Sequence, residues 1–328
     1  MAGSAGLPQG GSGGGAGEAG AAGEAGFVAP TLLSETGLYA DIASDVLAPG
    51  VVPFRPQYQL WSDDAAKRRW VYLPPGAQID TTSMDYWVYP VGTKVWKEFT
   101  RDQARVETRL LQKIADDEWF MVAFRWNDEI ADAEAVPAGE MNAGGTPHDI
   151  PSQRDCGRCH DNMTDKLLGF TALQLSHDLD PEGLNLADLV ADNRLTAAPA
   201  AGLSVPGDAV EQAALGYLHA NCGHCHNPES VISSMVDMEL WLTVSSLGGP
   251  VTETPTYVTT VGRDTTSSTS QPWMTRIVAG NLDESAVYQR MTFVPDVNAT
   301  QNLRMPPLAT EVIDADGSDA VSAWIEGL

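Results

Sequence analysis

The chain has 328 residues, 43% of them apolar, and nowhere runs eighteen apolar residues together. That length allows two or three domains with cores of their own, and no segment is apolar enough to span a bilayer as a helix. Acidic side chains number 44 against 19 basic ones, a net charge of −25. Such a surface repels nucleic acid and anionic lipid, and it serves either solubility alone or docking to basic patches on a partner protein.

The first 26 residues are almost entirely Gly, Ala, Ser and Glu, with eleven glycines. They cannot bury apolar surface and are expected to form a flexible tether. No basic segment followed by an apolar one opens the chain. Either a signal segment has been removed or the start lies further upstream. The tether suits a lipoprotein or surface-anchored domain whose anchoring cysteine would precede the residues shown.

From residue 27 to 149 the pattern is strand-like. Segments 85–99 and 118–126 are rich in aromatic and β-branched residues, alternate in stretches and are broken by Pro and Gly; six of the nine tryptophans fall here. The expectation is an antiparallel β-sandwich or jelly-roll-like domain. Trp61, Trp70, Tyr72, Trp87, Tyr89 and Trp96 read as core and cross-strand packing, with a ligand-binding face as the alternative. Asp63, Asp64, Lys67, Arg68 and Arg69 read as a solvated, salt-bridged loop.

After residue 150 the texture becomes rich in Ala and Leu. Helices are expected over 167–179, over 207–220 with Asp208 as N-cap, near 284–291 and over 318–324, with a linker at 193–206. All four cysteines fall in two copies of one pattern, Cys156-Gly-Arg-Cys159-His160 and Cys222-Gly-His-Cys225-His226. Two thiols separated by two residues match the two vinyl groups of one porphyrin, and the histidine that follows can offer an imidazole to the iron. A four-thiolate zinc site would have to join pairs 66 positions apart, and redox Cys-x-x-Cys has no need of the trailing histidine. The reading is therefore two covalently attached haem c groups, held by Cys156, Cys159, Cys222 and Cys225, with His160 and His226 as axial ligands. Met305, stiffened by Pro306-Pro307, is the candidate second ligand of the later haem. For the earlier one the candidates are His148, His177 and, less directly, Met141; an open iron is the alternative.

With those motifs placed, residues 208–328 resemble a class I cytochrome c domain: Gly216-Tyr217 precedes the motif, Met305-Pro-Pro follows, and Ala323-Trp324-Ile325 lies in the closing helix. The resemblance implies a crossing of first and last helices at Gly216 and Trp324. The 79 positions from His226 to Met305 exceed the usual spacing and imply an insertion within 231–280. The chain after the tether also resembles bacterial dihaem c-type cytochromes with a β-rich N-terminal domain. The matching stretches are Leu-Ser-Glu-Thr-Gly-Leu at 33–38, Leu-Trp-Ser-Asp-Asp-Ala-Ala-Lys-Arg-Arg-Trp at 60–70, Pro-Val-Gly-Thr at 90–93, Ile-Pro-Ser at 150–152 and Leu-Gly-Phe-Thr-Ala-Leu-Gln-Leu at 168–175.

The expected architecture is α+β and multidomain: tether 1–26, β-rich domain 27–149, then two mostly α-helical cytochrome c-type haem units at 150–206 and 207–328. The expected function is electron transfer by a secreted, periplasmic or cell-surface protein, an electron carrier rather than an enzyme, docking redox partners that carry basic patches. The alternatives are a peroxidase-type enzyme with an open first haem, and a ligand-binding module with the haems as relay.

Overall fold

The computed structural model describes residues 27–180, 183–199, 202–266, 273–294 and 303–328. The expected tether at 1–26 lies outside them. The chain builds a short hairpin, β1 (Tyr39–Asp41) with β2 (Val46–Leu47), and then a six-stranded antiparallel sheet. The strands are β3 (Val51–Pro53), β4 (Ala66–Tyr72), β5 (Lys94–Arg101), β6 (Ala104–Ala115), β7 (Glu118–Asn127) and β8 (Asp132–Ala135), each bonded to the next in chain order. Asp102 and Gln103, both at positive φ, make the tight turn from β5 to β6, the backbone that matches strand twist in a two-residue hairpin.

Alternation along these strands gives the sheet two apolar faces. One carries the cross-strand row Trp70, Trp96, Leu110 and Val122, covered by Leu33, Leu38, Tyr39 and Val51 from the preceding segment. The Trp96 indole also donates to Thr36 Oγ1 at 3.0 Å. The other face carries Val71, Val95, Leu111 and Met121. Against it pack Leu167, Phe170, Leu173 and Leu175, in one cluster of buried side chains that continues to Leu218, Trp324 and Ile325.

Two expectations are corrected here. The second sheet among the described residues is only the two-stranded β1–β2 hairpin, so the N-terminal region is a six-stranded meander with that hairpin on one face rather than a sandwich or jelly roll. The second layer consists of loops and short helices instead. Nor is the remainder a pair of mostly helical units. Among the described residues only α1 (Gln153–His160), α4 (Ala209–Asn221) and α7 (Ala315–Gly327) exceed six residues; α2 (Ala172–Leu175), α3 (Leu186–Ala191), α5 (Pro255–Thr260) and α6 (Ala286–Met291) are one or two turns each. The expected helix 167–179 shrinks to α2 because Gly169 stands at φ +77° and Thr171 is extended. Its apolar spacing serves a buried irregular segment.

The 207–220 expectation is met by α4, where Asp208 caps the amides of Val210 and Glu211 at 2.9 and 3.0 Å. Helices α4 and α7 pack together, and Leu215, Leu218, Trp324 and Ile325 share one buried cluster. A Cβ on Gly216 would lie 2.0 Å from the Tyr58 ring, and one on Gly317 would lie 2.0 Å from the Tyr217 ring. The close approach between the two helices is thus Tyr217 over Gly317. Gly216 instead admits the loop that leads from β3 to β4.

The aromatic residues of the β region divide as packing predicts: Trp70, Trp87, Tyr89 and Trp96 are buried. The charged stretch does not form a solvated loop. Asp63 is 2% exposed and Arg69 8%, and Lys67, Arg68 and Arg69 lie within β4.

Candidate functional site

The first motif occupies α1. Ser152 caps it through a reciprocal capping box, its hydroxyl accepting from the Asp155 amide and donating to the Asp155 carboxylate at 2.7 Å. Cys156 and Cys159, three residues apart, share one side of the helix. The helix is tied to β7 where the Gln153 side chain donates to the Met121 carbonyl at 2.9 Å. The next segment turns back at once, and the Lys166 carbonyl accepts from His160 Nδ1 at 2.5 Å. This partner places the proton on Nδ1 and leaves Nε2 as the free lone pair. Burial pushes the His160 pKa down to about 4, so the ring is neutral at physiological pH.

Asp165 anchors the turn. It accepts two hydrogen bonds from Lys113 Nζ at 2.7 and 2.9 Å, one from Trp119 Nε1 at 2.8 Å and one from the Tyr89 amide at 2.6 Å. Both members of the ion pair are buried. The sheet thereby positions the carbonyl that orients His160.

The second motif begins where α4 ends. Gly223 is required there, since a Cβ would meet the His219 carbonyl oxygen at 2.6 Å. Burial raises the Cys222 thiol to about 12 and lowers His226 to about 4, the latter helped by the positive fields of His224 and Arg290. His226 Nδ1 is buried and makes no hydrogen bond, though the Met238 backbone lies beside it. His219 is structural: its Nδ1 accepts from the Leu242 amide at 3.0 Å and its ring packs on Trp241.

The fold brings the two motifs into direct contact. The thiols of Cys159 and Cys225 are mutual partners, which lowers the pKa of Cys159 and raises that of Cys225, and the His224 ring also bonds Cys159. Asn162 Nδ2 points at Cys225 Sγ (3.6 Å) and donates to the Arg158 carbonyl at 2.8 Å. The Asn227 amide bonds the carbonyls of Gly223 and His224 at 3.0 and 2.9 Å, reaches the Asn162 carbonyl at 3.4 Å, and lies 3.7 Å from Met163 Sδ. Ser230 Oγ donates to Asn162 Oδ1 at 2.9 Å. None of the four cysteines is in a disulfide. Among the described residues no three His, Cys, Asp or Glu side chains converge as a metal-binding set, the arrangement a zinc site would need.

The expected second ligands fare unequally. Met305 lines a narrow cleft together with Met291, Trp61, Tyr217 and Pro306, and Tyr217 lies within the field of Cys222. The Met305 amide donates to the Arg290 carbonyl at 3.0 Å, and the Arg290 guanidinium faces His226. His177 uses both ring nitrogens structurally, Nε2 on the Arg55 carbonyl at 2.6 Å and Nδ1 accepting from the Leu179 amide at 3.1 Å. His148 is buried with Nε2 on Glu107 at 2.7 Å and its ring against Phe99, and Met141 is 72% exposed.

Several positioning residues escaped the sequence reading: Asp165, Asn162, Asn227 and Ser230. The available signal was an Asn close behind each motif histidine, which pattern reading takes as turn chemistry alone. No family model, curated protein or solved structure matches this chain.

The residues present fit a haem at each motif. Each offers two cysteines outside any disulfide and one neutral imidazole. The histidines and Cys222 are set deep in the molecule yet keep accessible surface.

Proposed function

We propose that the protein is a dihaem c-type electron carrier that works outside the bacterial cytoplasm, in the periplasm or at the cell surface, where covalent haem attachment is made. Cys156 and Cys159 would hold one porphyrin, Cys222 and Cys225 the other, with Nε2 of His160 and of His226 offered to the irons and Met305 Sδ on the opposite side at the second. A haem so held supplies one-electron Fe(III)/Fe(II) cycling. The chain's own contribution is placement. The Lys166 carbonyl fixes the His160 tautomer, burial keeps both imidazoles neutral, and Asn162, Asn227 and Ser230 clamp one motif against the other. The observation that carries the reading is this clamp: motifs 66 positions apart are held side by side, with Asn162 Nδ2 3.6 Å from Cys225 Sγ and Asn227 Nδ2 3.4 Å from the Asn162 carbonyl, a proximity that a relay between two centres would use.

A pyridine haemochrome assay on protein made with a haem-attachment system should return two c-type haems per chain. One or none sinks the proposal. The acidic chain suits docking to partners with basic patches, so association should slow steeply with added salt. A second reading is favoured by the engagement of both His177 nitrogens and of His148 Nε2 elsewhere. It leaves the first iron open and permits peroxidase-type or small-ligand chemistry. Ready binding of carbon monoxide or cyanide to one haem would support it.

A further inference from the structure

The segment between β3 and β4 runs against parts of the chain that lie far from it in sequence. The amides of Gln57 and Tyr58 donate to Gln174 on α2, to its carbonyl at 2.7 Å and to its side-chain oxygen at 2.9 Å. The Tyr58 ring fills the notch that Gly216 leaves on α4. Asn221, the last residue of α4, is 2% exposed. Its side chain donates to the Gln59 carbonyl at 3.2 Å and accepts from the Trp61 amide at 2.7 Å. Cys222 follows Asn221 directly, so the segment is bonded to the very start of the second motif.

The same segment holds the chain that follows Met305. The Trp61 indole N–H donates to the Val312 carbonyl at 3.0 Å, and the Val312 amide donates to Asp63 Oδ1 at 2.8 Å. Trp61, Met305, Pro306 and Val312 line one cleft. Met305 is anchored at the near end of its loop by its amide on the Arg290 carbonyl, and Val312 at the far end by Trp61 and Asp63. Asp63 and Asp64 stand at φ +43° and +60°, inside a turn closed by the Ala65 amide on the Ser62 carbonyl at 3.0 Å; aspartate tolerates that left-handed backbone better than most residues. The turn sends the chain into β4 while Asp63 stays buried. Burial above all, and then the facing Glu311 carboxyl, raise the Asp63 pKa to about 7, while the Val312 amide and Arg101 pull it down. Lys67 on β4 lies in the field of both Asp63 and Asp314.

We propose that residues 57–63 are a strap through which the sheet region positions the Met305 thioether at the second motif, with Trp61 and Asp63 as the positioning residues, an inference that rests on the haem reading above. Trp61 joins both parts of the ligand set: its amide is bonded beside Cys222, and its indole to the loop that carries Met305. A side chain whose loop is tied at both ends has little freedom left to lose on ligation. Deprotonation of Asp63 sets two carboxylates face to face, so the hold weakens as pH rises through 7.

The test is Trp61→Phe, which keeps a ring and removes the indole donor, beside Asp63→Ala and the acceptor-keeping Asp63→Asn, all in the full chain carrying haem. Imidazole is the probe: it displaces the thioether from the ferric second haem, read as loss of the thioether-to-iron charge-transfer band. Trp61→Phe and Asp63→Ala should each lower the half-saturating imidazole by roughly two- to tenfold, the worth of one hydrogen bond. The second haem's potential should fall while the first stays in place. Asp63→Asn should match the unsubstituted protein at pH 6 and need roughly threefold more imidazole than it at pH 8.5, a ratio in which imidazole's own titration cancels. Thermolysin cleavage before Val312 or Ile313 should quicken in Trp61→Phe and Asp63→Ala alike. Two attached haems with an unmoved imidazole curve in both variants overturn the strap and leave the haem reading intact. Faster cleavage with an unmoved curve means that the strap holds the loop without positioning the ligand, and overturns the proposal too. A change at the first haem as large as at the second marks general loosening and does the same. Two haems without a thioether band on the unsubstituted chain overturn the strap alone; fewer than two haems overturn the haem reading and this inference together.

Discussion

Asp165→Ala removes in one step the acceptor for Lys113 Nζ, Trp119 Nε1 and the Tyr89 amide. Lys113 is 2% exposed and lies on β6 beneath the second layer, so the substitution strands a buried ammonium. Breaking a buried ion pair from one side costs about 3–5 kcal/mol. Each of the two orphaned N–H groups adds about 1–3 kcal/mol where water cannot reach it. Some water will enter the space left by the carboxylate, so a total near 5 kcal/mol is expected, comparable to the whole stability of many domains. Urea unfolding followed by tryptophan fluorescence should show this as a fall in midpoint with little change in slope. Lys113→Met added to Asp165→Leu should recover at least about 2 kcal/mol, because no charge is then left unpaired. In protein carrying haem, the spectrum of the first centre should broaden as the Lys166 carbonyl loses its hold on His160. A cost below about 1 kcal/mol for Asp165→Ala would refute the reasoning. So would a double variant worse than the single one.

Asp63 sits against Glu311 and accepts from the Val312 amide at 2.8 Å, and burial raises its pKa from 3.8 to about 7. The folded state therefore holds this proton more tightly than the unfolded one, so stability from this group is greatest below pH 4 and declines until pH passes 7. Asp63→Asn should match the wild type near pH 4 and exceed it by about 2 kcal/mol at pH 8, less than the full shift because solvent screens the pair; equal thermal stability at pH 8 would contradict the account. Gly317→Leu should separate α4 from α7 by driving a side chain into the Tyr217 ring, at a cost of about 2–4 kcal/mol, read as a drop in melting temperature; no drop would mean the helices do not approach there. Met305→Ala should abolish the thioether-to-iron charge-transfer band and lower the second haem's potential while leaving the haem count at two, and an unchanged band would assign the ligand elsewhere.

What could be read along the chain was whatever depends on near neighbours. Asp208 followed by Glu211 announces the start of α4. The two five-residue motifs state their own chemistry. The segments 85–99 and 118–126 read as strands; β7 (Glu118–Asn127) forms over the second, whereas in the first only the end from Lys94 enters β5. Misreading set in where one local pattern fits two structures. Leu167, Phe170, Leu173 and Leu175 have helical spacing, yet Gly169 takes a positive φ and the segment packs as an irregular strap. The charges at 63–69 looked like a solvated loop because polarity alone does not reveal burial, whereas in the fold Asp63 meets Glu311 and Val312 from the far end of the chain.

The sequence by itself determined which donor groups each motif carries, since two thiols, one imidazole and the spacing between them are properties of five consecutive residues. It also placed β7 and α4, because alternation and caps act over a few positions. Only the tertiary structure decided that Asn162 behind the first motif reaches Cys225 of the second, that Asp165 anchors the turn behind His160, and that Arg69, Lys97 and Arg109 stand in one row across β4, β5 and β6. These relations join residues dozens of positions apart. Strand register and burial create them, and neither quantity is carried by any short stretch of chain.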